Sequence, residues 1–304
     1  MSQTPRPWHA GLVLALLLLS PGQATAAATR TATPSTFLAV LAQMQAGDVL
    51  ELASGTYPAL DCRSGRTCPH GTSWGNAPVL RAASGAQVTF PALTFTGAQM
   101  RYLVVQGVRV DGRRQQRETV YISQGAGYLR FEDTDISGAS AHGVLIPSES
   151  VGHNEFVRVS VHHNGSRDHF DHGMYLAAAA TLVREAVVSH NRGYGIHVYA
   201  SGKQATTGTV VQGSRITDNG TGGGTTYGLL LSDGRGLQAL DNVLRNNGSG
   251  DIRVMRAPGA ILRGNQTSGA VSQPSPGEEE PADPETPPAA PISAPRHLRL
   301  LGLP

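Results

Sequence analysis

Residues 167–176 read RDHFDHGMYL and place two carboxylates, two histidines, an arginine and a tyrosine close together in the chain. Histidine and tyrosine carry protons, arginine pairs with carboxylates, and Asp168 with Asp171 has the makings of an acid–base pair. The same two aspartates could instead contribute to a calcium shell, of which they would supply only part. A second group, NRGYGIHVY (191–199), adds Arg192, Tyr194, His197 and Tyr199. Whether these side chains meet depends on the backbone that carries them.

That backbone repeats. FVRVSVHHNG (156–165) leads to HGMYL, LVREAVVSHNRG (182–193) to YGIHVY, VVQGSRITDNG (210–220) to YGLLLS, and LQALDNVLRNNG (237–248) to GDIRVM. YLRFEDTDISG with HGVLI (142–146) is an earlier unit of the same kind, and AILRGNQTSG (260–269) a last half unit. Each is read as an alternating strand, a turn, and a short strand opening with glycine. Gly143, Gly173, Gly195, Gly228 and Gly250 are spaced 22 to 33 residues apart. Alternation at period two excludes a helical solenoid, so the units are coils of a stack that bury one row of side chains against their neighbours. Asn164, Asn191, Asn219 and Asn247 fall at one equivalent turn, where asparagine tolerates the left-handed conformation and can bond to the next coil. Three of these, with Asn265, match the N-glycosylation pattern, but the turn role needs no such modification.

In the glycine-opened strands, Met174 and Leu176, Ile196 and Val198, Leu229 and Leu231, and Ile252 and Val254 are assigned inward. Leu145, Tyr175, His197, Leu230 and Arg253 then form an exposed column. Ala177, Tyr199, Ser232 and Met255 stand beside it, and His142, His172, Tyr194 and Tyr227 precede the glycines. The result is a wall rich in histidine and tyrosine. His162, His163 and His190 are read as solvated turn residues beside the asparagines.

The ends differ in character. Arg6 followed by GLVLALLLL and small residues is read as a signal peptide over 1–26, and no apolar run is long enough to span a bilayer. An exported chain is expected, whether extracellular, periplasmic or on the cell surface. In that compartment Cys62 and Cys68 are expected to form a disulfide, the alternative being a poor zinc set with His70. STFLAVLAQMQA (35–46) is expected to be a short helix with Ser35 or Thr36 as N-cap and Phe37, Leu38, Leu41 and Met44 on one face. Residues 270–304 are rich in proline and glutamate and are expected to be a disordered tail. The net charge of +2 gives no reason to expect nucleic acid, and a monomer is expected.

AGDVLELASGTY (46–57) resembles the first coil of right-handed parallel β-helix proteins of the pectate-lyase-like superfamily, where a capping helix precedes the coil. PVLRAASGAQVTF, YLVVQGVRVDG and the HGMYL and YGIHVY coils continue the likeness over about residues 35–269. The resemblance implies an all-β, single-stranded right-handed parallel β-helix over 27–269 with a short N-terminal capping helix. It also implies a polysaccharide as partner, the superfamily including lyases, epimerases, hydrolases and proteins without known activity. Tyrosines suit pyranose faces, and a lyase or epimerase must neutralise a uronate carboxylate and move protons. On that reading His172 and Tyr175 carry protons, with Asp171 nearby. His197 and Arg192 meet the carboxylate, while His142, Tyr194, Tyr199 and Tyr227 bind the chain. The weaker metal assignment is Asp168, for calcium. The Asp-Pro-His of mannuronan epimerases is absent, since His172 directly follows Asp171. The alternative expectation is a non-catalytic glycan-binding or surface and matrix protein.

Overall fold

The computed structural model describes residues 27–63, 68–167, 170–199, 206–220 and 224–273. The signal peptide expected over 1–26, nearly all of the expected tail, and Asp168 lie outside the described residues.

Among the described residues the chain winds into a right-handed parallel solenoid with almost no helix. Its three long sheets have ten, nine and nine strands. One coil consists of strands Leu129–Glu132, Asp135–Ser137 and Val144–Ile146. The next consists of Glu155–Val157, Ser160–His162 and Met174–Leu176. The hand is the one a twisted strand imposes on a crossover to a parallel neighbour.

Segments such as FVRVSVHHNG, read from sequence as one strand, are two. The break falls at Arg158, whose φ is 52°, and at its equivalents Asp133, Glu185 and Asp241 with φ of 49°, 55° and 55°. A single left-handed residue turns the chain through a corner and shifts the alternation by one: Phe156 faces the core before the corner and Val159 and Val161 after it, and Val183 before and Ala186 and Val188 after. Such a conformation costs about 1–2 kcal/mol for a residue with a Cβ. At Arg158 a two-pronged pairing with Asp133, at 2.7 and 3.0 Å, offsets part of that cost.

The inward rows are continuous. Val144, Met174, Ile196, Leu229 and Ile252 face one another in register and are buried. Phe131 and Phe156 stack at 5.0 Å in the same core. At the N-terminal end the helix is shorter than expected, Phe37–Leu41. Phe37 meets Tyr57 at 5.3 Å and Phe90 at 5.5 Å. Leu38 does not share that face and is 55% exposed. In so short a helix only the i, i+4 pair Phe37 and Leu41 reaches the core, and the next residue lies far round the axis. The Thr36 side chain forms no cap bond to the helix; its hydroxyl accepts from the Thr33 N–H instead. Cys62 and Cys68 form the expected disulfide, with 5.6 Å between Cα atoms.

The asparagine column is a buried ladder. The backbone N–H and side-chain amide of Asn164 both donate to Asn191 Oδ1, at 3.1 and 3.0 Å. Asn191 donates in the same way to Asn219, and Asn219 to Asn247. The left-handed residue at this turn is the one before each asparagine: His163, His190, Asp218 and Asn246, with φ of 53° to 59°. The asparagine side chain can then point inward, which a left-handed position would not allow. Burial and bonding close Asn164, Asn219 and Asn247 to glycosylation. The ladder also explains the glycines. A Cβ at Gly143, Gly173 or Gly195 would lie 2.5–2.7 Å from a carbonyl oxygen of the next coil and 2.6–2.8 Å from a ladder amide nitrogen.

Candidate functional site

Strand register places Leu145, Tyr175, His197, Leu230 and Arg253 in one column on the outer face of the sheet that contains Met174–Leu176. Their direction is as expected, but their exposure is not. Leu230 is fully buried and His197 only 8% exposed. His142, His172, Tyr194 and Tyr227 are buried as well, as are Ala177, Ser232 and Met255. Tyr194, Tyr227, Leu230 and Met255 form a second apolar cluster outside the solenoid core. The Tyr194 hydroxyl donates to the Thr225 carbonyl at 3.0 Å, which fastens the ring over the wall. Alternation reports which way a side chain points and not what lies on top of it.

Three histidines are wired together. The His172 N–H donates to His142 Nδ1 at 3.2 Å, and the Tyr194 N–H donates to His172 Nδ1 at 3.3 Å. His172 Nε2 lies 3.0 Å from His197 Nδ1. A nitrogen that accepts from an amide carries no proton, so neutral His172 holds its hydrogen on Nε2 and donates it to His197. His197 therefore carries its own hydrogen on Nε2, and that atom is buried with no hydrogen-bond partner among the described residues. The chain of donors ends in an unanswered N–H. Tyr175 stacks on His172 at 5.9 Å and meets His197 edge-on at 5.1 Å; Tyr199 lies 5.5 Å from His197. Burial, with the nearby Tyr199 and Asp233, raises the Tyr175 phenol and keeps it protonated.

Asp171 stands apart in role. Its carboxylate accepts from the Arg167 guanidinium at 2.8 Å, from the Ser166 and Arg167 amides at 3.0 and 2.7 Å, and from the Ser166 hydroxyl. Burial works to raise its pKa, but these donors outweigh burial and hold it below the ordinary carboxylate value. Both oxygens are occupied in closing the loop. A guanidinium on this carboxylate does not fit a calcium ligand, and Asp168 lies outside the described residues. Arg192 is exposed on the turn beside Gly165, at the edge of the wall. Away from the wall, His162 Nε2 bonds to Asp135 at 2.7 Å while His163 and His190 stack, exposed, at the turn.

One wall residue escapes the sequence reading. Val120 faces Val144 and Tyr121 faces Leu145, which places Glu118 in the column of His142, His172, Tyr194 and Tyr227. Its carboxyl lies 3.1 Å from Arg117 Nε. Burial pushes it up to about 7, with Arg117 opposing and the charge of Asp171 adding. The glycine signal is missing because Thr119 stands where later coils have glycine. Ala139 stands at the ladder position, so no amide crowds the threonine.

Burial pushes His197 down to about 3 and His142 down to about 4, with neighbouring charges secondary. The unfolded chain protonates both near their ordinary value of 6.5, so their contribution to stability is full above that pH and is lost as pH falls through the folded values. Glu118, raised, works in the opposite direction between its ordinary value of 4.5 and about 7. Two histidines against one carboxyl leave a net loss of ~1–2 kcal/mol from neutral pH to about pH 5. Urea denaturation at the two pH values measures it.

A family model described as a right handed beta helix region matches residues 93–267. No curated protein sequence matches the chain. Among solved structures, the pectate lyase Pel9A superposes with a TM-score of 0.57 at 14% identity, covering 81% of this chain and 78% of that one. An alginate lyase from Paenibacillus sp. str. FPU-7 gives 0.50 at 18% identity, covering 78% and 86%. At such identities the likeness is one of fold. With more than half of its length matched by the family model, the chain belongs to the right-handed β-helix family.

Proposed function

We propose that this is an exported protein that acts on an acidic polysaccharide by lyase or epimerase chemistry at the histidine–tyrosine wall. The observation that carries the reading is the unanswered donor of His197. A buried N–H without an acceptor costs about 1–3 kcal/mol, a cost that a ligand oxygen would relieve. The wire from the Tyr194 amide through His172 fixes the His197 ring and its tautomer, so the donor is ready before the ligand arrives. His197 and Arg192 would meet the uronate carboxylate. The protonated Tyr175 would supply a proton to the leaving oxygen, and the rings of Tyr194 and Tyr199 would border the chain. Fold-level support comes from the two superposed lyases, of pectate and of alginate, both acidic polymers. The basic, apolar leader of the sequence supports export.

A second reading, glycan binding without turnover, is favoured by the depth of the wall, since His172 and His197 are both largely closed to solvent. The test is to incubate the purified protein with a panel of uronate polysaccharides and follow the ultraviolet absorbance of unsaturated uronate ends. Solvent-deuterium incorporation at the carbon α to the carboxylate is followed in parallel. Absorbance growth identifies a lyase, and deuterium uptake without it an epimerase. Neither signal across the panel, with affinity retained, establishes the binder.

A further inference from the structure

The histidines beside the asparagine ladder take no part in the wall, and two of them face each other. His162 ends the strand Ser160–His162, and His163 follows it in the left-handed conformation, with φ of 53°. Successive side chains of an extended strand point to opposite faces, so this turn is what brings the second ring round to the first. The two Nδ1 atoms lie 2.9 Å apart, and the ring planes cross at 89°.

The far side of His162 is fixed. Its Nε2 lies 2.7 Å from Asp135 Oδ2. Burial works to raise that carboxyl, but the bond to His162 and the charges of His162 and Arg109 hold it below its ordinary value. An ionised carboxylate only accepts, so neutral His162 carries its hydrogen on Nε2 and presents a lone pair on Nδ1. His163 then donates its Nδ1 hydrogen along the 2.9 Å line. A neutral imidazole can carry that hydrogen on either nitrogen, and with it on Nε2 two lone pairs face the same point. Burial, with His162, His190 and Arg114 beside it, lowers His163 and favours the neutral form.

A carboxylate behind an imidazole is the usual support of a histidine that binds a metal. Two metal–nitrogen bonds of about 2.0–2.1 Å set their nitrogens about 2.9 Å apart at a right angle and about 3.4 Å apart at the tetrahedral angle. The separation here is the right-angled one, that of tetragonal copper(II) or nickel(II). We propose that His162 and His163 form a two-nitrogen chelating site for a divalent transition cation of that geometry. The cation takes the place of the shared hydrogen, which moves to His163 Nε2, and Asp135 goes on accepting from His162 Nε2. Among the described residues no group of three His, Cys, Asp or Glu converges, so water completes the shell. His190 stacks parallel to His163 at 5.1 Å and braces the ring from the next coil. The neighbouring cations are engaged elsewhere, Arg114 with the Ala139 and Gly165 carbonyls and Arg109 with Asp111 and Asp135. The next residue, Asn164, is pinned in the ladder, which holds the pair in place before a cation arrives. None of this depends on the uronate reading.

The test uses the full chain without a histidine tag, stripped of metal with a chelator, and its His162→Gln, His163→Gln and His190→Gln variants. Thermal melts without metal check that each variant folds. Titration calorimetry with nickel(II) is expected to show an equivalent per chain that His162→Gln and His163→Gln each lose and His190→Gln keeps. Asp135→Asn is expected to weaken its binding by about 10–100-fold. With one equivalent of copper(II), electron paramagnetic resonance is expected to show a tetragonal centre coupled to two imidazole nitrogens. A wild type that takes up no nickel(II) overturns the proposal. So does uptake that is the same in His162→Gln and His163→Gln as in the wild type, since the cation would then sit on other histidines.

Discussion

Asn191→Ala is expected to lower the thermal midpoint by on the order of 10 °C. The Asn191 Oδ1 accepts from two donors of Asn164, and its amide donates to the Val161 carbonyl at 3.0 Å and to Asn219 Oδ1 at 2.9 Å. Alanine leaves these groups buried and unanswered, at about 1–3 kcal/mol each before relaxation, and a net loss of about 3–5 kcal/mol follows. Each coil contacts only its neighbours, so the weakness spreads outward from the broken rung. Differential scanning calorimetry reads the midpoint, and hydrogen exchange is expected to show protection falling first around Asn164 and Asn219. An unchanged midpoint would mean that water replaces the missing rung.

The second large effect concerns His172. Both of its ring nitrogens are engaged and it is buried, so it acts through His197 and is a positioning residue. His172→Ala is expected to reduce turnover by about 10²–10⁴-fold while circular dichroism stays that of the solenoid. A merely structural role would be satisfied by any side chain that fills the space. The discriminating variant is His172→Gln, whose amide can still donate to His197 Nδ1. It is expected to recover part of kcat, and nitrogen-15 spectra should show the His197 proton fixed on Nε2 in Gln and in wild type, and exchanging between nitrogens in Ala.

The parts of this architecture that were legible in the sequence are those that repeat. Valine and isoleucine at alternate positions, a glycine before each third-sheet strand and an asparagine at each turn follow from close packing of coil on coil, so each announces itself several times. Features that occur once left no such trace. Glu118 belongs to a coil with threonine in place of glycine, and the next coil has alanine at the ladder position, so neither marker flags it. The corners at Arg158 and Glu185 shift the alternation by one residue, and the apolar residues Val157 and Leu182, which lie outside the core, hide the shift. Leu230 is buried in a cluster with Tyr194, Tyr227 and Met255 drawn from three successive coils, a long-range fact that local pattern does not contain. Likewise RDHFDH suggested a pair of active carboxylates, whereas the Asp171 carboxylate is directed to the backbone of its own loop.

The asparagine ladder has a direction. One N–H of each side-chain amide donates to the next rung toward the C-terminal end, from Asn164 through Asn191 and Asn219 to Asn247, while the other bonds a carbonyl of the coil before; the last rung donates to Asp251 Oδ1 at 2.8 Å. The amide dipoles are aligned head to tail, as in a helix, though here they run along the axis of the stack through side chains. Their positive end falls on a fully buried carboxylate, whose second oxygen accepts from the Ser268 and Gly269 amides. Asp251 is thus a counter-ion to a column of neutral residues, and the coils are polarised along the axis as well as packed.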